Sequence, residues 1–389
     1  MLSPCDTTSE KSASLYAAEE PITPGQIQVE CIAQFDELVA LRPVWDSLLA
    51  QYPAATFFLG HVWACAWWQT FGAEYRLRVL VLRHRGKVIG IAPFMRSVTH
   101  VFGLPIRQIS FFHNRHTLRG DTLFPADAEA CLGAVLVYLR QLRDWDVLYL
   151  ADVPAVSSLY TALPAAAAAS GLPWDPWRPG RPHSSLPFSG TWQDYLKQRS
   201  SNFRHVLKKM QNRLDRLGHT HIECVAERQA MLAVLPEIFE LERKSWHGMD
   251  QATALRDEDR VFQRRLVVAP SENQKSLFYL LRLEGRLVAC QHLLEFDRVV
   301  YGFTTYHDKS IAQASPGTML FLGMFRSLWE QSMREFDFNG DNPGYQRWTP
   351  QPKSHFSTRC YAATPYGRFL QISRRITRHA LGLAKPRAA

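Results

Sequence analysis

The sequence lacks the features by which several large classes of protein are recognised. Its seven cysteines are scattered, and no two form a Cys-x-x-Cys pair, so neither a disulfide framework nor a thiolate zinc site is expected. No run reaches the roughly 18 apolar residues that a membrane helix needs. The motifs G-x-S-x-G, G-x-x-x-x-G-K-[ST] and G-x-G-x-x-G are all missing, which argues against an α/β-hydrolase, a P-loop NTPase and a dinucleotide-binding enzyme. We therefore expect a cytoplasmic protein, at most peripheral to the inner membrane.

The composition is that of a folded globular protein. Hydrophobic residues make up 46% of the 389-residue chain and charged residues 21%. At about 150 residues per domain, this length predicts two or three domains, with two as the first choice. The 45 Lys and Arg residues exceed the 36 Asp and Glu residues, so the net charge of +9 favours anionic ligands without identifying one.

An internal repeat divides the chain. The segments 76–96 and 276–297 both read as a β-hairpin with a glycine in its turn, and aligning Gly86 with Gly285 superimposes their patterns. After each hairpin come another strand, an amphipathic helix and a short strand, which predicts two copies of one α/β unit. The predicted divisions are a disordered leader (1–25), an N-terminal domain (26–170), a linker rich in proline (171–184), a C-terminal domain (185–365) and a basic tail (366–389).

One candidate for binding chemistry is the start of the helix in the second copy. The residues Ser315-Pro316-Gly317-Thr318 follow a strand and a polar loop, and a helix start exposes N–H groups that hold phosphate. Lys309 would add positive charge. The alternative is that these residues only cap the helix.

A second candidate lies at the end of the last strand. Asp337, Asp341, Tyr345 and Arg347 occur there within eleven residues that also contain two glycines, and strand ends are where open α/β sheets bind ligands. Asp337 stands between two phenylalanines, so its carboxylate should face the opposite side from their rings. A solvated turn is the alternative.

Other features have plainer interpretations. The helix at 200–218 has an apolar face and a basic face that includes Arg204 and Lys208, which either contacts an anion or is simply solvated. Histidines at 113, 116, 219 and 221 are expected to be exposed loop residues, so no metal site is predicted. The tryptophans at 63, 67 and 68 are expected to pack in the core, with a sugar-binding platform as the alternative. The basic amphipathic tail either touches a membrane surface or is a frayed terminal helix.

Four segments together resemble a known family. FFLGHVWACAWWQTFG, NFRHVLKKMQNRL, SPGTMLFLGMFRSLWE and REFDFNGDNPGYQRW are similar to the CelD-type acetyltransferases of the GNAT superfamily, which are related to FemAB-type transferases. The resemblance spans 57–348. It implies tandem GNAT-like domains, each a mixed and mostly antiparallel sheet flanked by helices. The chain departs from the family pattern in its pyrophosphate loop, which keeps only one glycine, and in having Gln346 where a lysine is common.

The resemblance also implies an activity, the transfer of an acetyl group from acetyl-CoA to nitrogen or oxygen of a sugar or polysaccharide precursor, without a metal. The expected partners are a saccharide acceptor and a polysaccharide synthase complex making exopolysaccharide or cellulose, rather than nucleic acid. Such an enzyme needs a pyrophosphate cradle, an N–H to polarise the thioester carbonyl and a proton acceptor.

We assign the pyrophosphate cradle to Ser315, Gly317, Thr318 and Lys309, and the contact with the thioester carbonyl to Thr304, Thr305 and Tyr306, where the strand should splay. The proposed base is Asp337 or Asp341, and the proposed acid is Tyr345. Binding of the acceptor is assigned to Arg204, Lys208, Arg347 and Trp348. Two alternatives stay open, FemAB-like aminoacyl transfer from charged tRNA and a catalytically silent scaffold.

Overall fold

The computed structural model describes residues 22–101, 103–245, 254–269, 272–349 and 352–380. The predicted leader therefore lies outside the described residues except for 22–25, and so does the end of the tail, 381–389. The strands β1 to β14 are Gln28–Ile32, Arg76–His84, Lys87–Val101, Leu104–Phe111, Val147–Pro154, Arg178–Pro179, His183–Pro187, Thr220–Val225, Gln274–Leu283, Arg286–Phe296, Val299–His307, Glu335–Asp337, Pro352–Lys353 and His355–Tyr361. The helices α1 to α12 are Phe35–Ala40, Arg42–Gln51, His61–Phe71, Ala128–Gln141, Ser158–Ser170, Trp192–Gln198, Ser201–Asp215, Arg228–Lys244, Asp257–Val268, Pro316–Glu330, Pro343–Gln346 and Pro365–Ala380.

The strands form two seven-stranded sheets of the same design. Their orders are β1-β2-β3-β4-β5-β14-β6 and β13-β7-β12-β11-β10-β9-β8. The four-strand meander of each sheet, β1 to β4 and β8 to β11, is antiparallel, and one parallel pair follows it, β4 with β5 and β11 with β12. The predicted fold, two mixed and mostly antiparallel sheets flanked by helices, is confirmed.

The two predicted hairpins occupy the same place in the two sheets. Both turns have two central residues with positive φ, Arg85-Gly86 and Glu284-Gly285, as a type I′ turn requires. Each hairpin also has an arginine that is separated from the turn by a single residue and forms an ion pair with a glutamate on the edge strand. Arg83 pairs with Glu30 on β1, and Arg282 pairs with Glu223 on β8. The repeat thus extends from the turn to a side-chain contact between strands.

The halves exchange their last strands. Strand β7, which ends the first half, pairs with β12 in the second sheet, and β14, near the chain's end, pairs with β5 in the first. The strand pairing departs from the predicted division at two places: residues 355–361 pair within the N-terminal sheet, and the predicted linker 171–184 contains β6 and the start of β7. Proline and glycine marked the crossover, but strand pairing decided which sheet each strand joins.

Helix packing follows the predicted apolar faces. Trp63 and Trp67 on α3 are almost fully buried in a core that also includes Phe262 on α9 of the second half, which confirms the packing role of those tryptophans. On α7, Leu207 and Leu214 are buried while Arg204 and Lys208 are exposed. No helix in the described ranges is long and apolar enough to cross a membrane.

Candidate active site

A cleft opens in the second sheet where β11 and β12 separate. These parallel strands pair only over three positions, Val299–Tyr301 with Glu335–Asp337, after which β11 runs on to His307 without β12 beside it. The gap is a cleft of about 480 Å³. Its lining includes Thr304, Thr305 and Tyr306, so these three residues do lie where the strand splays.

A buried polar atom in this cleft lacks a hydrogen-bond partner. Gln291 on β10 lines the cleft, and its Nε2 donates to the carbonyl of His292, but its Oε1 accepts no hydrogen bond from the described part of the chain. An unsatisfied buried acceptor costs about 1–3 kcal/mol. A ligand with an N–H or O–H group would satisfy it.

A loop of the first half closes one end of the cleft and places there a histidine that pairs with an aspartate of the second half. His116 lines the cleft, and its Nε2 lies 2.5 Å from Oδ1 of Asp259 on α9, while Arg115 contacts the other oxygen of the same carboxylate. Burial opposes ionisation, yet hydrogen bonds from His116 and the backbone of Arg256 lower the pKa of Asp259. The ionised carboxylate fixes Nε2 as the protonated nitrogen, and Nδ1 makes no hydrogen bond with the described residues.

The expectation of exposed histidines was wrong for His116. Its side chain is only 9% exposed and is packed against Phe71, Phe262 and Phe303. His219 and His221, in contrast, are exposed as predicted. Sequence reasoning missed the pair because its members are 143 positions apart.

Asp337 has a structural position. Its carboxylate faces away from the rings of Phe336 and Phe338, as alternation predicted, but it is buried at the junction of the halves and receives two hydrogen bonds from Arg119, of 2.9 and 3.1 Å. Burial alone would raise the pKa of Asp337; the Arg119 charge and hydrogen bonds lower it to about 2. The lowered pKa makes Asp337 a weak proton acceptor at neutral pH. Asp337 forms an ion pair between the halves, and its role as base stays a prediction.

Asp341 and Tyr345 both line the cleft. Asp341 accepts hydrogen bonds from the hydroxyl of Ser184 and the amide of Gln346. The ring of Tyr345 stacks on Phe338, with 4.6 Å between centroids, and burial raises the pKa of its hydroxyl. Their catalytic roles stay predictions.

The predicted pyrophosphate cradle stands next to the cleft. Ser315, Gly317 and Thr318 form the start of α10, whose Phe321, one turn further on, lines the cleft. Ser315 has a left-handed backbone with φ of 54°, and Lys309 begins the 3₁₀ turn Lys309–Ala314 just before it. A side chain at Gly317 would make only ordinary contact with His307, so packing does not require glycine there.

Three of the predicted acceptor-binding residues are exposed, and one is not. Arg204, Lys208 and Arg347 lie on the surface outside the lining of the cleft. Trp348 is 3% exposed and packs edge-on against Phe325 in the core of the second half. Trp348 therefore packs in the core of the second half, and its role in substrate binding stays a prediction.

Comparison with known proteins agrees with this architecture. Residues 201–347 match the family model described as an acetyltransferase (GNAT) domain. In a search of curated protein sequences, no match reached significance. The crystal structure of FemX aligns over 89% of this chain and 99% of its own, at 13% identity and a TM-score of 0.58.

A second solved structure is the C-terminal domain of a putative lysylphosphatidylglycerol synthetase from Agrobacterium fabrum. It aligns over 87% of this chain and 95% of its own, at 10% identity and a TM-score of 0.52. At such low identity these similarities show the fold. The match to an acetyltransferase (GNAT) domain lies in the second half of the chain, and the first half repeats the topology of that half's sheet.

Proposed function

We propose that the protein is an acetyl-CoA-dependent acetyltransferase whose reaction takes place in the cleft between β11 and β12. The observation that carries the proposal is the open end of β11, faced by the His116–Asp259 pair, within the half that matches an acetyltransferase domain. Acetyl-CoA would supply an activated acyl group as its thioester.

The backbone of β11 suits the acyl group. Beyond Tyr301 no described residue of β12 pairs with β11, and a backbone N–H that points to this edge at Thr304 or Thr305 is the proposed group to polarise the carbonyl. The start of α10, at Ser315, Gly317 and Thr318, is the proposed place for the pyrophosphate, with Lys309 adding charge.

His116 is our choice for the proton acceptor. Since Asp259 holds the proton on Nε2, the lone pair of Nδ1 is free to take a proton from an attacking amine or hydroxyl. The imidazolium that forms is stabilised by the same carboxylate. Asp341, which already accepts two hydrogen bonds, is the second candidate, and Tyr345 is the proposed donor to the departing thiolate.

The acceptor proposal rests on the sequence resemblance. CelD-type sequences are associated with exopolysaccharide or cellulose production, so a sugar or polysaccharide precursor is the proposed acceptor, with a synthase complex at the inner membrane as the proposed partner. The acceptor's N–H or O–H would also satisfy Oε1 of Gln291.

The test combines binding with turnover. Calorimetric titration of the full chain with acetyl-CoA, CoA and charged tRNA should show binding of the first two only. His116→Gln should lower kcat by about 10²-fold or more while acetyl-CoA affinity is kept, because only proton transfer is removed.

The matched comparison is Asp341→Asn, assayed alongside. If His116→Gln keeps the parental rate and Asp341→Asn loses it, the base is Asp341. Binding of charged tRNA without CoA would replace the proposal by the FemAB-like alternative, and binding of neither would favour the scaffold.

A further inference from the structure

A second cleft, on the first half, is lined by arginines. It has a volume of about 610 Å³ and lies among β5, β6, β14, α12 and the loop 113–118. We call it the arginine cleft. Its charged lining consists of Arg115, Arg178, Arg181, Arg359, Arg374 and Arg378 against Asp152 and Asp175, together with His113.

The acidic groups of the arginine cleft do not occupy the donors of Arg374 and Arg378. Asp175 accepts a hydrogen bond of 2.8 Å from Tyr361, but the nearest nitrogens of Arg374 and Arg378 lie 3.9 and 3.8 Å from it, beyond hydrogen-bond distance. One carboxylate thus balances several guanidinium groups without occupying their donors. Asp152 lies 3.7 Å from His113.

Arg359 differs from the other arginines of the cleft in its contacts. Its guanidinium lies over the ring of Tyr149, 3.9 Å from the centroid, and no acidic side chain of the described residues is within ion-pair distance. Burial lowers the pKa of Arg359, and the charge of Arg374 lowers it further. Arg374 in turn has a buried Nε without a hydrogen-bond partner. An arginine nevertheless stays charged in proteins, so these donors call for an anion.

We propose that the arginine cleft binds the diphosphate group of the acceptor. Guanidinium groups bind phosphate oxygens in pairs of hydrogen bonds, and a diphosphate offers enough oxygens for Arg359, Arg374 and Arg378 together. Arg115 and Leu118 line both this cleft and the one between β11 and β12, so an acceptor held here extends past one loop to His116. The inference rests on the proposed function and names its substrate class, a sugar linked to a diphosphate.

The diphosphate has two possible sources, a nucleotide-linked or a lipid-linked sugar. Helix α12, which carries Arg374 and Arg378, also exposes Phe369, Ile372 and Ile376, with 50%, 55% and 63% of their surface accessible. At 3.6 residues per turn these apolar residues lie on the opposite face of α12 from Arg374 and Arg378, so they do not decide between the two sources, and the experiment includes both.

The experiment is calorimetric titration of the full chain with inorganic pyrophosphate, UDP, geranyl diphosphate and sulfate. Arg359→Gln and the double variant Arg374→Gln/Arg378→Gln should each weaken pyrophosphate binding by about 10-fold or more, since each loses charge-assisted hydrogen bonds. The matched control is Arg375→Gln: this arginine is also on α12 and lies 3.7 Å from Asp175, but it does not line the cleft. It should bind pyrophosphate like the parent. Thermal unfolding checks that each variant is folded.

The outcomes separate this inference from the proposed function. Loss of UDP or geranyl diphosphate binding in the cleft variants, with acetyl-CoA binding kept, supports the inference and identifies the source. Equal binding by all variants, or sulfate bound as tightly as pyrophosphate, overturns it. Acetyl-CoA affinity lost in the same variants also overturns it, because the cleft would then hold CoA. If the parent binds pyrophosphate here but not acetyl-CoA, only the proposed function fails.

Discussion

The two halves have the same opening in their sheets, but only one of them is left open. In the first sheet β4 and β5 pair over three positions, Gln108–Ser110 with Val147–Tyr149, just as β11 and β12 do in the second. The first opening is occupied by the chain itself: Gly120 donates to the carbonyl of Asp152 on β5, and Leu123 pairs with Ile91 on β3. A cavity of only about 30 Å³ is left there, against about 480 Å³ in the second half.

The difference shows that the two copies of the fold have different roles at the candidate site. The segment that fills the first opening continues from the loop that carries His116 and Arg115, so the filled half supplies groups to the open one. Arg119 in the same segment forms the ion pair with Asp337 of the second half. One connection therefore closes a cleft, joins the halves and completes the candidate site.

The ion pair between the halves gives the largest expected effect on stability. Arg119→Met leaves the Asp337 carboxylate buried and uncompensated, which should lower the free energy of unfolding by about 3–5 kcal/mol. Urea unfolding at pH 7 measures this. The double variant Arg119→Met/Asp337→Leu should recover much of the loss. A single variant as stable as the parent would show that the pair does not hold the halves together.

Replacing a glycine by alanine should destabilise the protein in the filled opening but not in the open one. A Cβ at Gly120 would lie 2.2 Å from the ring of Phe111 and 2.9 Å from the carbonyl oxygen of Ala151, so Gly120→Ala should cost about 1–3 kcal/mol. Gly340 lines the open cleft and has no atom within 4 Å of a Cβ, so Gly340→Ala should change stability by less than about 0.5 kcal/mol. Equal unfolding midpoints for the two variants would contradict the comparison.

The junction should also make the protein sensitive to acid. Burial and the charge of Arg119 lower the pKa of His183 to about 2 and that of His355 to about 4. The unfolded chain, with histidine pKa values near 6.5, then binds more protons below that pH, so stability falls as pH drops from about 6.5 towards 4. Each histidine contributes up to about 1.4 kcal/mol per pH unit. Unfolding of the parent and His355→Gln at pH 7 and pH 5 measures the slope, which the variant should reduce.

The smallest expected effect concerns the exposed basic face of α7. Arg204→Ala and Lys208→Ala should each change stability by less than about 0.5 kcal/mol, because both side chains are exposed. If these residues bind the acceptor, its KM should rise without a change in kcat. An unchanged KM would leave them as solvated surface, the alternative that the sequence also allowed.

Local patterns of the sequence determined the repeated parts of the fold. The hairpins at Gly86 and Gly285, the helix from Pro316 and the buried tryptophans of α3 each follow from a few neighbouring residues, since turn geometry and helical periodicity act over short distances. The splay at Thr304 to Tyr306 followed from the family resemblance.

Only the tertiary structure decided which half contains the open cleft and which half supplies side chains to it. Exchange of β7 and β14, burial of Asp337 against Arg119 and the pairing of His116 with Asp259 join residues far apart in the chain. No periodicity distinguishes a solvated aspartate at a strand end from one that meets an arginine of the other domain. Packing makes that distinction, because a carboxylate stays charged in the interior only where an opposite charge and hydrogen bonds replace water.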